Sequence, residues 1–433
     1  MQPELTRLLA LKDHPLRLAL VAEMHVRRLP AFAAPARLTQ LVMFTGEEQI
    51  AETRHAAEQL CERFNVRPPM NSRHFAVQLG AFDFIWEQHT EVGRYTFIRR
   101  GRFDDPFESP VLMEVPQDWL DSLPGQVLRA TQLAIMDRDS PPPDAASLAS
   151  WFTLANLMSC EVQNSEARVW SDFLVNADGM GRMLIRDQGL KSDGDTARLI
   201  QRLQELGNYR NMALLGLPKA QAATPVLTTF EKRLTSLTRE IAERANDDTK
   251  LLEELSGLSA DLAKITAETR YRMSATRAYA QLAFDRLREL DVTRVPGHQT
   301  LIDFTERRLT PAVRTCESFS QRIEDLSQRT SWASSAMRTR IETTLERQNT
   351  SLLESMNRRA HMQLRLQQTV EGLSVLAISY YFIGMLGYMA KPLSHFIAID
   401  PTVLQGVAVP FVVAFVWWFI RRVRRSYDAD KLN

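Results

Sequence analysis

A chain of 433 residues is long enough for two or three structural units. Its 53 Lys and Arg against 52 Asp and Glu exclude a strongly basic nucleic-acid binder. Three cysteines, Cys61, Cys160 and Cys316, stand in no paired spacing, which argues against a disulfide framework or a zinc ribbon and fits a reducing compartment. The opening "MQPELTRLLALKDHPLRLAL" carries charges through its apolar positions and lacks the h-region of a cleaved signal.

Residues 1–190 read as a mixed α+β head. "APARLTQLVMF" (Ala34–Phe44) predicts a strand. Thr45 and Glu48, three apart, form a capping box opening an amphipathic helix over "TGEEQIAETRHAAEQLCERF". Three β-rich runs follow, His74–Leu79, Phe82–Thr90 and Arg94–Arg100, then a helix-like "PQDWLDSL" and a further strand over Val127–Asp137. "SPPPDA" (Ser140–Ala145) breaks the chain. In "ARVWSDFLVNADGMGRMLIRD", two β-prone runs flank "NADG", so Asp178-Gly179 is assigned the positive-φ positions of a hairpin turn.

From 191 to 371 the texture is helical, with apolar residues three and four apart and one break at "DVTRVPGHQT" (Asp291–Thr300). A long stalk helix is assigned to about 298–371. Within it, Ala312–Glu371 holds sixty residues without Gly or Pro, about 90 Å at the helical rise. Phe319, Ile323, Leu326, Thr330, Ala333 and Met337 trace a coiled-coil seam, continued after a stutter by Ile341, Leu345, Leu352 and Met356.

The last part is apolar. Gly372–Ala390 is nineteen residues and Pro401–Ile420 twenty residues without a charge, each just long enough for a bilayer core of about 30 Å. Together, 372–420 predicts a two-helix transmembrane hairpin against membrane lipid. Arg358, Arg359 and Arg365 precede it and Arg421–Arg425 open a basic tail, 421–433, whereas the loop between the spans has only Lys391 and Asp400, with His395 neutral. Both termini are therefore expected in the cytoplasm. Trp417 and Trp418 suit an interface, and Pro410 predicts a kink in the second span.

No sequence pattern nominates a catalytic residue or a cofactor. His14, Glu23 and His25, and Glu87 with His89, match no metal-ligand spacing, and no phosphate loop, nucleophile elbow or zincin helix occurs. The chain is read as a non-enzyme. The first span is more informative: Gln367, Ser374, Tyr381 and Tyr388 recur every seven residues, with Glu371 and Gly384 on the same side. A polar and small stripe is wasted on lipid, so it faces protein or water, as a subunit contact or a pore wall.

The stretch "NRRAHMQLRLQQTVEGLSVLAISYYFIGMLGYM" is similar in texture to the stalk-to-pore segment of CorA-type magnesium transporters, whose layout of cytoplasmic domain, long stalk, two spans and basic tail this chain resembles. The resemblance implies a homo-oligomeric channel or transporter for an ion or small solute. That family ends its first span in Gly-Met-Asn, whose backbone and amide oxygens meet the hydrated ion; here Gly387, Tyr388 and Met389 stand in that place, and Tyr388 cannot imitate that oxygen ring. The whole chain also resembles a family of uncharacterised, membrane-anchored bacterial proteins with a domain of unknown function. "HPLRLALVAEMHVRRLPAF", "FIWEQHTEVGRYTF", "VWSDFLVNADGMGRMLI", "YRNMALLGLP" and "AISYYFIGMLGY" carry that likeness. It implies a membrane-anchored bacterial protein and no activity; with the two apolar segments, a multi-pass protein of the bacterial inner membrane is expected. Two functions are expected: a CorA-like channel, or a non-conducting scaffold or sensor whose head binds a cytoplasmic partner.

Overall fold

A computed structural model describes residues 14–17, 20–21, 29–46, 48–69, 73–243, 247–393 and 401–429. Their elements are β1 (Ala36–Phe44), α1 (Ile50–Arg63), β2 (His74–Leu79), β3 (Phe82–Gln88), β4 (Val92–Arg100), α2 (Gln117–Asp121), β5 (Gln126–Met136), α3 (Ala145–Trp151), β6 (Met158–Val162), β7 (Ala167–Ser171) and β8 (Gly181–Asp187). Then come α4 (Asp193–Leu214), α5 (Gly216–Glu243), α6 (Asp248–Glu289), β9 (Thr293–Arg294), α7 (Leu301–Leu393) and α8 (Pro401–Ala429). The chain is mixed α+β, with one large sheet and a long helix towards its C-terminal end. It divides into two compact units, 1–246 with 253–334, and 247–252 with 335–433.

The first unit holds a nine-stranded sheet in the order β2-β3-β4-β1-β5-β8-β7-β6-β9. Strand β1 is buried almost throughout and pairs antiparallel with β4 and β5, as a central strand covered on both faces should. The pairing of β5 with β8 is parallel; it joins two otherwise antiparallel halves. Beside it, the β1–β5 register slips between Val42 and Met43, so that Leu128 has no partner of its own.

The pleat sends alternate residues to two layers. On one side Phe84, Trp86, Tyr95 and Phe97 pack with Trp119 and with Ala57 and Leu60 of α1. Two buried donors fix that helix: the Trp119 indole N–H reaches the Ala56 carbonyl at 2.8 Å, and the Tyr95 hydroxyl reaches the Thr53 carbonyl at 3.1 Å. On the other side Leu38, Ile85, Ile98 and Ile185 pack with Leu199, Leu203 and Leu206 of α4, with Ala283 and Leu287 of α6, and with Leu301 and Leu309 of α7.

Two local expectations are corrected. Helix α1 starts at Ile50 with Gln49 as its uncharged cap, and no side chain caps it. The N–H groups of Thr45 and Gly46 both donate to the Glu91 carbonyl, which holds Thr45 to the sheet and away from the helix. The second is the "NADG" turn. Strand β7 ends at Ser171 and a wide loop follows, in which Gly179 has φ +78° and Asp178 lies outside the left-handed region. The Asp178 carboxylate instead accepts from the Met180 N–H at 3.0 Å and from Gln132 at 3.1 Å. The tight hairpin lies one strand earlier: Gln163, Asn164 and Ser165 turn β6 into β7 with φ of 54°, 54° and 65°.

Phe319, Ile323, Leu326 and Thr330 of the predicted seam are buried within the first unit. Alongside them the Arg322 guanidinium donates to both Glu231 oxygens, at 2.9 and 2.8 Å, and joins α7 to α5. In the second unit the later seam is open: Leu345, Leu352 and Met356 are 53%, 61% and 64% exposed. Among the described residues one helix, within Leu301–Met389, is long and apolar enough to cross a membrane, and 11% of its apolar window is buried. Residues 401–420 are helical in α8, which continues across Pro410 and through the basic run to Ala429. The predicted loop positions 394–400 lie outside the described residues.

Candidate functional site

The predicted stripe lies along the apolar end of α7. Gln367 is exposed, Glu371, Ser374 and Gly384 are half-buried, and Tyr381 and Tyr388 are each 76% exposed. The covered side is marked by Ser379, which is 3% exposed, and by Gly387, with Ile383 and Leu386 half-buried beside them. At about 100° per residue, Tyr381 and Tyr388 stand roughly half a turn from Ser379. Of the stripe, the structure therefore leaves Gln367, Tyr381 and Tyr388 open and covers Glu371, Ser374 and Gly384 in part. A Cβ at Gly384 would meet no atom within 4 Å, so its small size serves no contact within the chain. Ser374 asks less of its surroundings than the sequence implies: its hydroxyl donates to the Val370 carbonyl of its own helix at 2.8 Å.

Among the described residues, no group of three His, Cys, Asp or Glu is placed to hold a metal ion. His14 accepts from the Leu16 N–H at 3.2 Å, whereas Glu23 and His25 lie outside the described residues. Glu87 and His89 both meet Arg94, the carboxylate at 3.4 Å.

A second site was not anticipated from the sequence. Val127–Thr131 at the start of β5, Gly181–Met183 at the start of β8, the loop 173–175 and Arg210 with Asn211 of α4 enclose a cavity of about 340 Å³. Two of its wall residues are arginines without a counter-charge. The Arg129 Nη1 donates to the side-chain oxygens of Asn208 at 2.9 Å and Gln40 at 3.4 Å, and to that of Gln204. All three acceptors are neutral. Arg210 lies over the rings of Phe173 at 4.7 Å and Phe304 at 5.4 Å. Among the described residues no carboxylate lies within ion-pair distance of either guanidinium. Burial and the charge of Arg210 push Arg129 down to about 9; burial and the charge of Arg308 push Arg210 down to about 10. Both remain cations at neutral pH. The third wall arginine, Arg182, is different, because Asp178 accepts from it at 3.4 Å.

Local structure is bent to make this place. The β1–β5 slip falls at Leu128, next to Arg129. Phe173 takes φ +55°, a left-handed conformation costly for an aromatic residue, and its ring stacks on Phe304 at 3.9 Å. Gly207 sits in the middle of α4, where glycine costs about 1 kcal/mol relative to alanine. A Cβ there would lie 2.7 Å from the Arg129 Cζ. Gly207 is the bed on which the guanidinium lies. The available sequence signals were an arginine inside the apolar strand "QVLRATQLAIM" and a glycine inside the helical "LQELGNYRNM".

An α+β sheet protein with a long, partly apolar C-terminal helix and an arginine-walled cavity is the class so defined. The chain belongs to the DUF3422 family, proteins of unknown function, whose sequence pattern it matches over residues 12–427. No curated protein matches it.

Proposed function

We propose that this protein is anchored in the bacterial inner membrane by a helical hairpin over 372–420 and works as a non-conducting, self-associating scaffold or sensor through its α+β unit. The observation that carries this reading is the exposure of the apolar helices. Leu373, Leu376, Met385 and Met389 of α7 are 57–69% exposed, and Val407, Phe411 and Phe415 of α8 are 54–72% exposed. A buried core helix would hide these side chains; lipid or a second copy covers them without desolvation cost. Both termini then lie in the cytoplasm, as the arginine asymmetry requires. The test is the behaviour of the full chain in cells. It should stay in the membrane fraction through an alkaline carbonate wash, and reporters ahead of Gln2 and after Asn433 should both read cytoplasm. Release by carbonate, or a periplasmic C-terminus, refutes the anchor.

The CorA-like channel is the second reading, and one observation favours it: Tyr381 and Tyr388 of the stripe stand exposed, roughly half a turn from the covered Ser379. In a ring of subunits that side meets the axis. Against conduction stand Gly387, Tyr388 and Met389 where the resembled family has Gly-Met-Asn, and a Ser374 hydroxyl already engaged by its own helix. Cysteines at Ser374, Tyr381 and Gly384 separate the readings. Labelling by a membrane-impermeant thiol reagent means a wet axis; cross-linking between copies without labelling means a dry contact.

A further inference from the structure

The two arginines of the β5–β8 cavity are an expensive arrangement for a fold to keep. Arg129 is held by three neutral acceptors, which leave its Nε and Nη2 donors without a hydrogen-bond partner among the described residues. Arg210 has ring faces and, among the described residues, no hydrogen-bond partner. The charge that acts on Arg129 is Arg210, and that on Arg210 is Arg308, so each guanidinium meets a like charge. An ion pair within the fold would have relieved this cost, as it does at Arg272 with Glu91 and at Arg286 with Glu205. Here the relief must come from outside the chain. The rest of the wall specifies more than charge: Phe173, Leu174 and Met183 line the same space. Its volume, about 340 Å³, lies at the small end of ligand sites and suits a molecule of modest size.

We propose that this cavity binds a small organic anion, with its acid head on Arg129 and Arg210 and its apolar body against Phe173, Leu174 and Met183. Guanidinium forks match carboxylate and phosphate oxygens alike, so the shared chemistry is an anionic head on a short apolar chain. This deepens the sensor reading given above by naming a ligand class for the α+β unit.

Four probes decompose the claim on the purified full chain, by calorimetric titration at constant ionic strength. Hexanoate and hexyl phosphate carry the two heads on one body, inorganic phosphate carries a head alone, and hexanamide carries the body without charge. At least one of the two amphiphilic anions should bind about tenfold more tightly than inorganic phosphate, with no heat from hexanamide. Arg210→Gln and Arg129→Gln should each weaken that binding about tenfold or more, the usual scale for a lost charge-assisted hydrogen bond. Arg210→Gln is the safer variant, since among the described residues Arg210 holds ring faces and no hydrogen-bond acceptor. A thermal melt run beside each titration establishes that the variant is folded. Silence from both amphiphilic anions overturns the proposal, and so does equal binding of hexanamide. Unchanged affinity in a folded Arg210→Gln protein overturns it too. Because the measurement uses purified protein, its failure leaves the membrane topology result standing, and failure of the topology leaves the cavity result standing.

Discussion

The Glu91–Arg272 pair gives the sharpest test of what holds α6 to the sheet. The Arg272 guanidinium reaches both oxygens of Glu91 in a two-pronged contact, with side chains 12% and 2% exposed. Glu91 sits at the turn between β3 and β4, while Arg272 lies mid-way along α6 and over the Phe44 ring at 5.5 Å. Glu91→Gln removes the charge and keeps the size, which leaves a buried guanidinium without a counter-ion. That costs about 3–5 kcal/mol. For a unit of this size it lowers the melting temperature by roughly 5–15 °C. Arg272→Met should cost a similar amount, because it strands the carboxylate. The double variant removes both charges and leaves a neutral amide beside the methionine, which costs less than either stranded charge. The two losses should therefore fall short of adding by about 2 kcal/mol or more. Thermal unfolding of the four proteins at neutral pH completes the cycle. Arg277→Met, whose partner Glu317 stands 3.9 Å away on the surface, serves as control and should cost less than about 0.5 kcal/mol. Strict additivity would refute the coupling and show that the contact contributes packing alone.

Three more outcomes follow from the same structure. Gly207→Ala should lower the melting temperature although alanine is the better helix former by about 1 kcal/mol, because its Cβ meets the Arg129 guanidinium; a rise would show that the arginine moves freely. The hydrogen bond from Arg322 holds the Glu231 carboxyl below its ordinary range, so the pair stabilises above the unfolded value and is lost as pH falls through the folded one. A pair about a third exposed contributes about 0.5 kcal/mol, so Glu231→Gln should differ from the parent at pH 7 and converge with it as pH falls below the ordinary carboxylate range in denaturant titrations; a constant gap into acid would rule out the carboxylate. Finally, Leu345→Asp with Leu352→Asp should reduce the mass of the detergent-solubilised complex while leaving the melting temperature in place, whereas Ile323→Asp should unfold the first unit by several kcal/mol. An unchanged mass would mean that the exposed seam meets water.

Strands β1 to β5, β7 and β8 were legible because each carries its signal within a few residues; the short β6 and the two-residue β9 were not. His74–Leu79 matches its prediction at both ends, and the aromatic alternation of β3 and β4 marks two covered faces. The long helix was legible from its lack of Gly and Pro, although it also runs through Gly372, Gly384 and Gly387. Neither turn error could be settled locally. Thr45 chooses between a helix and the Glu91 carbonyl, a residue forty-six positions away. "QNS" has no glycine to announce three left-handed residues. The seam shows the same limit from another side: periodicity reports that Ile323 and Leu345 want cover, but only tertiary structure shows that α5 lies beside the first. The cavity is the least legible feature, since Arg129, Gly207 and Arg210 are ordinary residues until β5 and α4 bring them together.

The edge of the sheet also sets a timetable for synthesis. Strand β6 gains its outer neighbour only when Glu161 pairs with Thr293, 132 positions later in the chain. At about 5–20 residues per second, a ribosome needs on the order of ten seconds to make the intervening stretch. Throughout that interval the hydrophobic β6, "MSCEV", presents an open edge to every other nascent chain nearby. The same wait applies to the core beneath it, because Leu287, Leu301 and Leu309 arrive with the same late segment. A message truncated near codon 290 therefore yields eight of the nine strands with that edge still open, an intermediate prone to pair with other chains until Arg294 has emerged.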